Sequence, residues 1–276
     1  MDHFTTTTVD ASDGTKLCLH SMGDGPGVVV LHGAMQSGLS HSELAGLLGP
    51  TFRVHLLDRR GRGGSGPLAA NPSTVQEVDD VRAVLRATGA VRVFGVSSGA
   101  IVAGRVALAD SAVERVALFE PPLSIGGSIK VELTSRVDAA LDRNDLSRAM
   151  GIAMKAAEMG PPWMFGLPIP VLALASRPIL RMSEMRRLAE ALRADFAVVC
   201  ENAERADDFA AILQPTLLID GTSTRPYLRL AVETLAETIP GAQRVSLDKQ
   251  GHSVTGNRAE RGHPELVAPL LADFFE

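Results

Sequence analysis

Cysteine is scarce in this sequence, and there is no excess of positive charge. The two cysteines, Cys18 and Cys200, lie far apart and match neither a metal-binding spacing nor a disulfide framework. Lysine and arginine together number 27 against 32 aspartates and glutamates, and the formal net charge is −5. Because phosphate binding needs a concentrated positive surface, this composition argues against a nucleic-acid partner.

A long apolar run is also missing. The most apolar stretch, residues 164–175, is short and contains Pro168 and Pro170, so it is not expected to span a bilayer. The first residues, MDHFTTTTVDASDG, are polar and acidic, unlike a secretory signal or a membrane anchor. We therefore expect a soluble, cytoplasmic protein that does not associate with membranes.

Short valine-rich runs alternate with helical patterns over most of the 276 residues. Several of these runs are apolar throughout, which is typical of strands buried on both faces. The sequence therefore predicts an α/β fold, with a mainly parallel central sheet and helices on both of its faces. The predicted strands are 4–9, 16–20, 27–33, 52–58, 91–96, 114–120, 215–220 and 243–247.

The pattern changes to a run of helical stretches between residues 123 and 213. Only the segment AVVC, beginning at Ala197, resembles a buried strand there. The sequence thus predicts a core domain made of residues 1–122 and 214–276. Residues 123–213 are predicted to form an inserted helical cap domain.

The segment VFGVSSGA carries the clearest chemical signal. Residues 95–99 form a G-x-S-x-G motif between a predicted buried strand and a helix of small residues. A sharp strand-to-helix turn strains the residue at its apex, needs small neighbours and presents a serine at a helix N-terminus. Ser97 is the predicted nucleophile. Ser98 fits this role less well because the residue two positions before it is Val96.

Two further segments supply partners for this serine. The loop LHGAMQSG follows the first buried strand, and the backbone N–H groups of Ala34 and Ser98 are predicted to form an oxyanion hole. His32, in the same loop, is interpreted as a structural histidine that bonds to loop backbone. His252, in the segment DKQGHSVTG after the last strand, is the predicted general base.

The motifs LHGAMQS, DRRGRGGSG, GVSSGA and QGH resemble those of the α/β-hydrolase superfamily, specifically its cap-bearing serine hydrolases, in order and spacing. In that family the segment DRRGRGGSG is usually structural. Residues 61–66 also match the dinucleotide pattern G-x-G-x-x-G. No helix is predicted to begin between this segment and Pro72, however, so a bound phosphate would lack a helix N-terminus, which argues against a nucleotide site.

The sequence departs from the common family pattern at the third member of the triad. The loop at 221–226, where most relatives have an aspartate, contains no acid. Glu120 closes the strand after the motif, and several branches of the family take their acid from this strand end. Asp220, which closes the later strand, is the alternative, and Asp248 ranks third. We favour Glu120 because its longer side chain suits an acid on a neighbouring strand.

These residues predict hydrolysis of a carboxylic ester or lactone of a hydrophobic small molecule through an acyl-enzyme, with no metal or organic cofactor. Cofactor-free haloperoxidase or acyltransferase chemistry uses a similar triad and stays open. The alternative from another class is a non-hydrolytic protein that binds small molecules on a hydrolase scaffold. The sequence carries no signal for an oligomeric state. The predicted apolar pocket is lined by Met35, Trp163, Met164 and Phe165.

Overall fold

The computed structural model describes residues 4–158, 160–164 and 166–276. Eight strands and ten α-helices lie in these ranges. The strands are β1 (Thr5–Asp10), β2 (Lys16–Met22), β3 (Gly27–Leu31), β4 (Arg53–Leu57), β5 (Arg92–Val96), β6 (Arg115–Phe119), β7 (Thr216–Gly221) and β8 (Gln243–Leu247). The helices are α1 (Ser42–Leu48), α2 (Thr74–Thr88), α3 (Ser98–Ala109), α4 (Glu132–Leu141), α5 (Leu146–Ala156), α6 (Ile169–Ser176), α7 (Ser183–Glu190), α8 (Leu192–Glu201), α9 (Pro226–Thr238) and α10 (Pro264–Phe275).

All eight strands form one sheet in the order β1-β2-β4-β3-β5-β6-β7-β8. The pairs β1–β2 and β2–β4 are antiparallel, and the pairs from β4 to β8 are parallel. The predicted α/β fold with a mainly parallel sheet is therefore confirmed. Because parallel strands end at one edge, the loops after β3, β5, β6, β7 and β8 meet on the same side of the molecule.

The buried strands separate two hydrophobic clusters, one on each face of the sheet. In β3, Val28 and Val30 pack on the α1 and α10 side, whereas Val29 and Leu31 pack on the α2 and α3 side. Successive side chains of a strand point to opposite faces, so a strand covered on both sides must be apolar throughout. This explains the unbroken valine-rich runs.

Residues 123–213 connect β6 to β7 and contain α4 to α8; we call them the helical insertion. Most of a third cluster lies here, with α4, α5, α7 and α8 packing together. The segment at Ala197, which resembled a strand, lies within α8. Leu192, Phe196 and Val199 are buried at helical spacing in α8, and this periodicity dominates over the local preference of two adjacent valines for a strand.

In the part of the chain that the structure describes, no helix combines the length and apolar character needed to cross a bilayer.

Candidate active site

Ser97 stands at a sharp turn between β5 and α3. Its backbone has φ 56° and ψ −124°, a strained conformation for a residue with a side chain. The flanking glycines are required by close packing, because a Cβ on Gly95 would lie 2.4 Å from the carbonyl oxygen of Gly99. A Cβ on Gly99 would lie 2.5 Å from that of Leu31. The G-x-S-x-G segment thus forms the tight turn that the sequence predicted.

The loop after β3 lies against this serine. A Cβ on Gly33 would come within 2.8 Å of the Cβ of Ser97, so only glycine permits the approach. Ala34 follows and lines both cavities that contain Ser97. Ser98 is the first residue of α3, where a backbone N–H has no acceptor within its own helix. The two residues of the predicted oxyanion hole therefore flank Ser97.

His252 and Glu120 are in direct contact. Nδ1 of His252 lies 2.5 Å from Oε2 of Glu120, and the imidazole stacks on Phe119 with ring centroids 5.9 Å apart. The Glu120 side chain is fully buried, whereas the His252 side chain is 41% exposed. His252 and Ser97 line the same two cavities. The structure thus brings together the three residues of the predicted triad.

Glu120 is held in place by the last residue of β7 and by the loop that follows this strand. Its Oε1 accepts the backbone N–H of Gly221 at 2.8 Å, and its Oε2 accepts the Thr224 hydroxyl at 2.8 Å. The residue itself has φ 44°, so the chain turns away from the direction of β6. The resemblance to the family places the acid in the loop at 221–226. In this protein Gly221 and Thr224 of that segment instead donate hydrogen bonds to Glu120.

The two alternative acids lie elsewhere. Asp220 is buried in β7, where it accepts hydrogen bonds from Ser246 at 2.5 Å and from Arg244 at 2.8 Å. Asp248 is exposed, and its carboxylate accepts a long hydrogen bond of 3.5 Å from the Thr222 hydroxyl. No described hydrogen bond joins His252 to either residue.

His32 is fully buried and bonds to the backbone on both sides. Its Nδ1 donates to the carbonyl of Gly33 at 2.8 Å, and its Nε2 accepts the N–H of Arg59 at 3.2 Å. Burial, reinforced by the charges of Arg59 and Arg62, holds the pKa of His32 well below its usual value. The imidazole is therefore neutral, and the predicted bonding of His32 to loop backbone is confirmed.

Two cavities open beside Ser97 and His252, and both are also lined by Ala34, Ala157 and Tyr227. The first, which we call the open cavity, has a volume of about 420 Å³. The second, the narrow cavity, has a volume of about 120 Å³. The remaining lining of the narrow cavity is mostly apolar: Ser98, Pro122, Ile129, Ala156, Leu192, Asp195, Phe196 and Val199.

Three of the four predicted pocket residues, Met35, Trp163 and Met164, do not line these cavities. Trp163 is 72% exposed to solvent, and Met164 is absent from both linings. Met35 adopts φ 59° and packs against the hydrophobic cluster of the helical insertion. Phe165 lies outside the described residues. The three described residues are absent from both linings, and α5, α8 and α9 supply much of the apolar lining instead of the loop on which the prediction relied.

A buried cluster of charges beside the nucleophile was not foreseen from the sequence. Arg59 donates two hydrogen bonds of 2.9 Å to Glu77 and one of 2.9 Å to Asp195 of α8. Arg62 pairs with the second oxygen of Asp195 at 2.7 Å. The Ser98 hydroxyl accepts from Arg59 at 3.0 Å and donates to Asp195 at 2.7 Å. Ser98 therefore has a side-chain role as well as its predicted backbone role.

This cluster has two positive and two negative side chains and is neutral overall. Burial raises the pKa of the Asp195 carboxyl, but the guanidinium groups of Arg62 and Arg59 and the Ser98 hydroxyl outweigh it, so the pKa falls to about 2. Asp195 is thus ionised at every working pH. The arginines were visible in DRRGRGGSG, but nothing in the sequence of α8 marked Asp195 as their partner.

One group of side chains has the composition of a metal site. Cys18, His20 and Asp58 place one ligand atom each within 4.8 Å of one another. Asp58 already accepts the N–H groups of Gly38 and Gly64 at 2.8 Å, and His20 lies 3.0 Å from it. Burial and the Asp58 charge raise the pKa of the Cys18 thiol to about 11. These side chains are hydrogen-bonded to one another and, through Asp58, to the backbone N–H of Gly64 in the 58–66 loop.

The sheet order, the serine turn and the histidine–carboxylate pair together define an α/β hydrolase. The sequence profile of the alpha/beta hydrolase family matches residues 28–269, and the chain belongs to this family.

Similar proteins agree with this assignment. The chain is 33% identical to an alpha/beta hydrolase from Sphaerobacter thermophilus whose crystal structure superposes with a TM-score of 0.81, covering 98% of this chain and 100% of that one. It is 26% identical over 264 residues to the pimeloyl-[acyl-carrier protein] methyl ester esterase of Xanthomonas campestris, covering 92% of this chain and 96% of the relative. An enol-lactonase from Burkholderia xenovorans, 21% identical with a TM-score of 0.70, shares the fold over 98% of this chain and 99% of its own.

Proposed function

We propose that this protein hydrolyses a carboxylic ester or lactone of a small, uncharged molecule through a covalent acyl-enzyme on Ser97. The observation that carries the proposal is the 2.5 Å contact between His252 and the fully buried Glu120, at the edge of a cavity that also contains the strained Ser97. A relative with 26% identity is a methyl ester esterase, which supports the same reaction class.

The proposed reaction begins with proton transfer from Ser97 to His252. Glu120 bonds to Nδ1 of the imidazole, so Nε2 is left to accept the proton while the serine oxygen attacks the carbonyl carbon. The buried carboxylate fixes this tautomer and stabilises the imidazolium that forms. The backbone N–H groups of Ala34 and Ser98 stabilise the negative oxygen of the tetrahedral intermediate.

The intermediate then collapses and the ester bond breaks. His252 returns the proton to the departing alkoxide, which leaves as an alcohol or, from a lactone, stays attached to the acyl group as a free hydroxyl. Water next attacks the acyl-enzyme while His252 accepts one of its protons. Release of the carboxylic acid returns that proton to Ser97. The cycle requires no metal or organic cofactor.

Labelling with a fluorophosphonate tests the proposal directly. The parent protein should take up one equivalent, which intact mass and peptide mapping place on Ser97, and should hydrolyse p-nitrophenyl acetate. Ser97→Ala should remove labelling and lower turnover by about 10⁶-fold. Its circular dichroism should match the parent, because a small residue fits the same turn. An unlabelled parent with no esterase activity would contradict the proposal.

A further inference from the structure

The open and narrow cavities are both lined by Ser97 and His252, so an ester bound at the serine can extend into both. Ser97, His252 and Ala34 line each of them. An ester has two sides, the acyl group and the alcohol, joined at the carbonyl that the serine attacks. The direction in which the ester lies therefore decides which substrates fit, and this question rests on the proposed function.

The histidine loop identifies the side of the alcohol. His252 must protonate the departing oxygen, so the alcohol leaves on the side of the imidazole. The open cavity is lined by Gly251 and Ser253, the two neighbours of His252, and by Ser223 and Thr224 of the adjacent loop. None of these four residues lines the narrow cavity. The alcohol thus belongs in the open cavity.

Because the alcohol occupies the open cavity, the acyl group occupies the narrow cavity. This cavity contains Ser98, which begins the helix behind the acylated serine, and Pro122, which follows the strand of Glu120. Its volume is about 120 Å³. An apolar cavity of about 150 Å³ holds one benzene molecule, so the space here suits a chain of roughly four to six carbons.

The chemistry of the two linings also differs. Ile129, Leu192, Phe196 and Val199 make the narrow cavity apolar. Among the described lining residues, the one carboxylate is Asp195, whose charge is balanced by ion pairs with Arg59 at 2.9 Å and Arg62 at 2.7 Å, so the narrow cavity presents no uncompensated charge to an acyl tail.

The lining of the open cavity is richer in polar groups. Gln36, Glu158, Ser223, Thr224 and Arg225 line it. These side chains suit an alcohol that carries hydroxyl or amide groups.

We propose that the narrow cavity is the acyl subsite and that the protein prefers esters of short, uncharged acids, about four to six carbons long, with larger polar alcohols. The name of the methyl ester esterase relative describes the opposite arrangement, a methyl alcohol on a pimeloyl-[acyl-carrier protein] acyl group.

Two substrate series test the proposal. In p-nitrophenyl esters with two, four, six, eight and twelve acyl carbons, kcat/KM should peak at four to six and fall at least tenfold by twelve. In butyrate esters, 1-monobutyrin should exceed methyl butyrate by at least tenfold. An acyl optimum at eight or more carbons, or equal use of the two butyrates, would overturn the proposal.

Variants connect this selectivity to the narrow cavity. Leu192→Ala enlarges the cavity and should raise the ratio of C12 to C4 activity at least tenfold. Ala156→Leu narrows it and should move the optimum to two carbons. Leu228→Ala, which changes only the open cavity, is the matched control and should leave the acyl-length ratio within twofold.

The two proposals fail in different ways. If Leu192→Ala does not fold, Ala156→Leu still tests the assignment, because it removes no core volume. An unchanged acyl profile in folded Ala156→Leu would overturn the subsite assignment. If Ser97 accepts fluorophosphonate and esters are cleaved without this chain-length pattern, ester hydrolysis stands and the assignment fails. If Ser97 is inert, ester hydrolysis itself fails.

Discussion

Glu120 and Asp220 are two buried carboxylates at the ends of adjacent parallel strands, yet they do different things. Phe119 lies opposite Ile219 in the sheet, so Glu120 and Asp220 are the next residues along. Glu120 bonds to His252, whereas Asp220 bonds to Ser246 and Arg244. Proximity to the edge of the sheet therefore does not identify the acid of the site.

Asp220 and Glu120 have different partners because Asp220 points to a fixed face of the sheet, whereas the backbone of Glu120 turns at φ 44°. Asp220 is still inside β7, and it shares a face with Leu218, the face that α9 covers. There it meets Ser246, its partner in the strand register, and Arg244, which also pairs with Glu233 of α9. Glu120 lies one residue beyond β6 and has φ 44°. Its longer side chain therefore does not follow the alternation that points successive strand residues to opposite faces of the sheet.

Removing the charge of Glu120 is expected to have the largest effect within this pair. Glu120→Gln keeps the size of the side chain but cannot stabilise an imidazolium, and kcat should fall by about 10³–10⁴-fold on p-nitrophenyl butyrate. The measurement is steady-state turnover at matched folded fraction. Near-normal activity in a folded Glu120→Gln protein would show that another group does this work.

Relocating the acid should recover part of that loss. The Thr224 hydroxyl lies 2.8 Å from Oε2 of Glu120, so Thr224→Asp places a carboxylate next to the position of the missing charge. The Glu120→Gln/Thr224→Asp double variant should gain at least tenfold in kcat over Glu120→Gln alone. Thr224→Asn in the same background is the control of equal size and should give no gain. Equal rates for the two double variants would count against the charge as the deciding factor.

Neutralising Asp220 should have the smallest effect on catalysis. Asp220→Asn is expected to lower kcat at most about tenfold, which is roughly 1.4 kcal/mol of barrier. Its effect should instead be on stability, because the charged hydrogen bonds to Arg244 and Ser246 weaken, by about 1–3 kcal/mol in urea unfolding. A 10³-fold loss of kcat with unchanged stability would reverse the comparison.

Local motifs made the fold and the centre of the site predictable from sequence. The buried strands are apolar on both faces, and the glycines around Ser97 are demanded by contacts shorter than 3 Å to a hypothetical Cβ. Such constraints act over a few residues, so they are visible in the sequence as unbroken apolar runs and as glycines at fixed positions. Side-chain length and the resemblance to family branches with an acid at this strand end favour Glu120 over Asp220, and the structure adds the donors from Gly221 and Thr224.

The lining of the narrow cavity was not predictable in the same way. Leu192, Phe196 and Val199 follow the ordinary spacing of an amphipathic helix and look like core residues. Their role depends on how α8 crosses the end of the sheet, which no local pattern records. Trp163 is predicted to line the pocket because its proline-rich segment interrupts the helical pattern, but such a segment does not fix the direction of a side chain, and Trp163 is 72% exposed.

The Arg59–Glu77–Asp195 network limits how this molecule can diversify. An insertion after β6 is a convenient place for evolution or a protein engineer to exchange one specificity for another. Here a replacement segment without an acid at the position of Asp195 would leave two buried guanidinium groups with one carboxylate, a defect of about 3–5 kcal/mol. Grafted segments should therefore succeed only when they bring that acid or when Arg59 and Arg62 are changed with them.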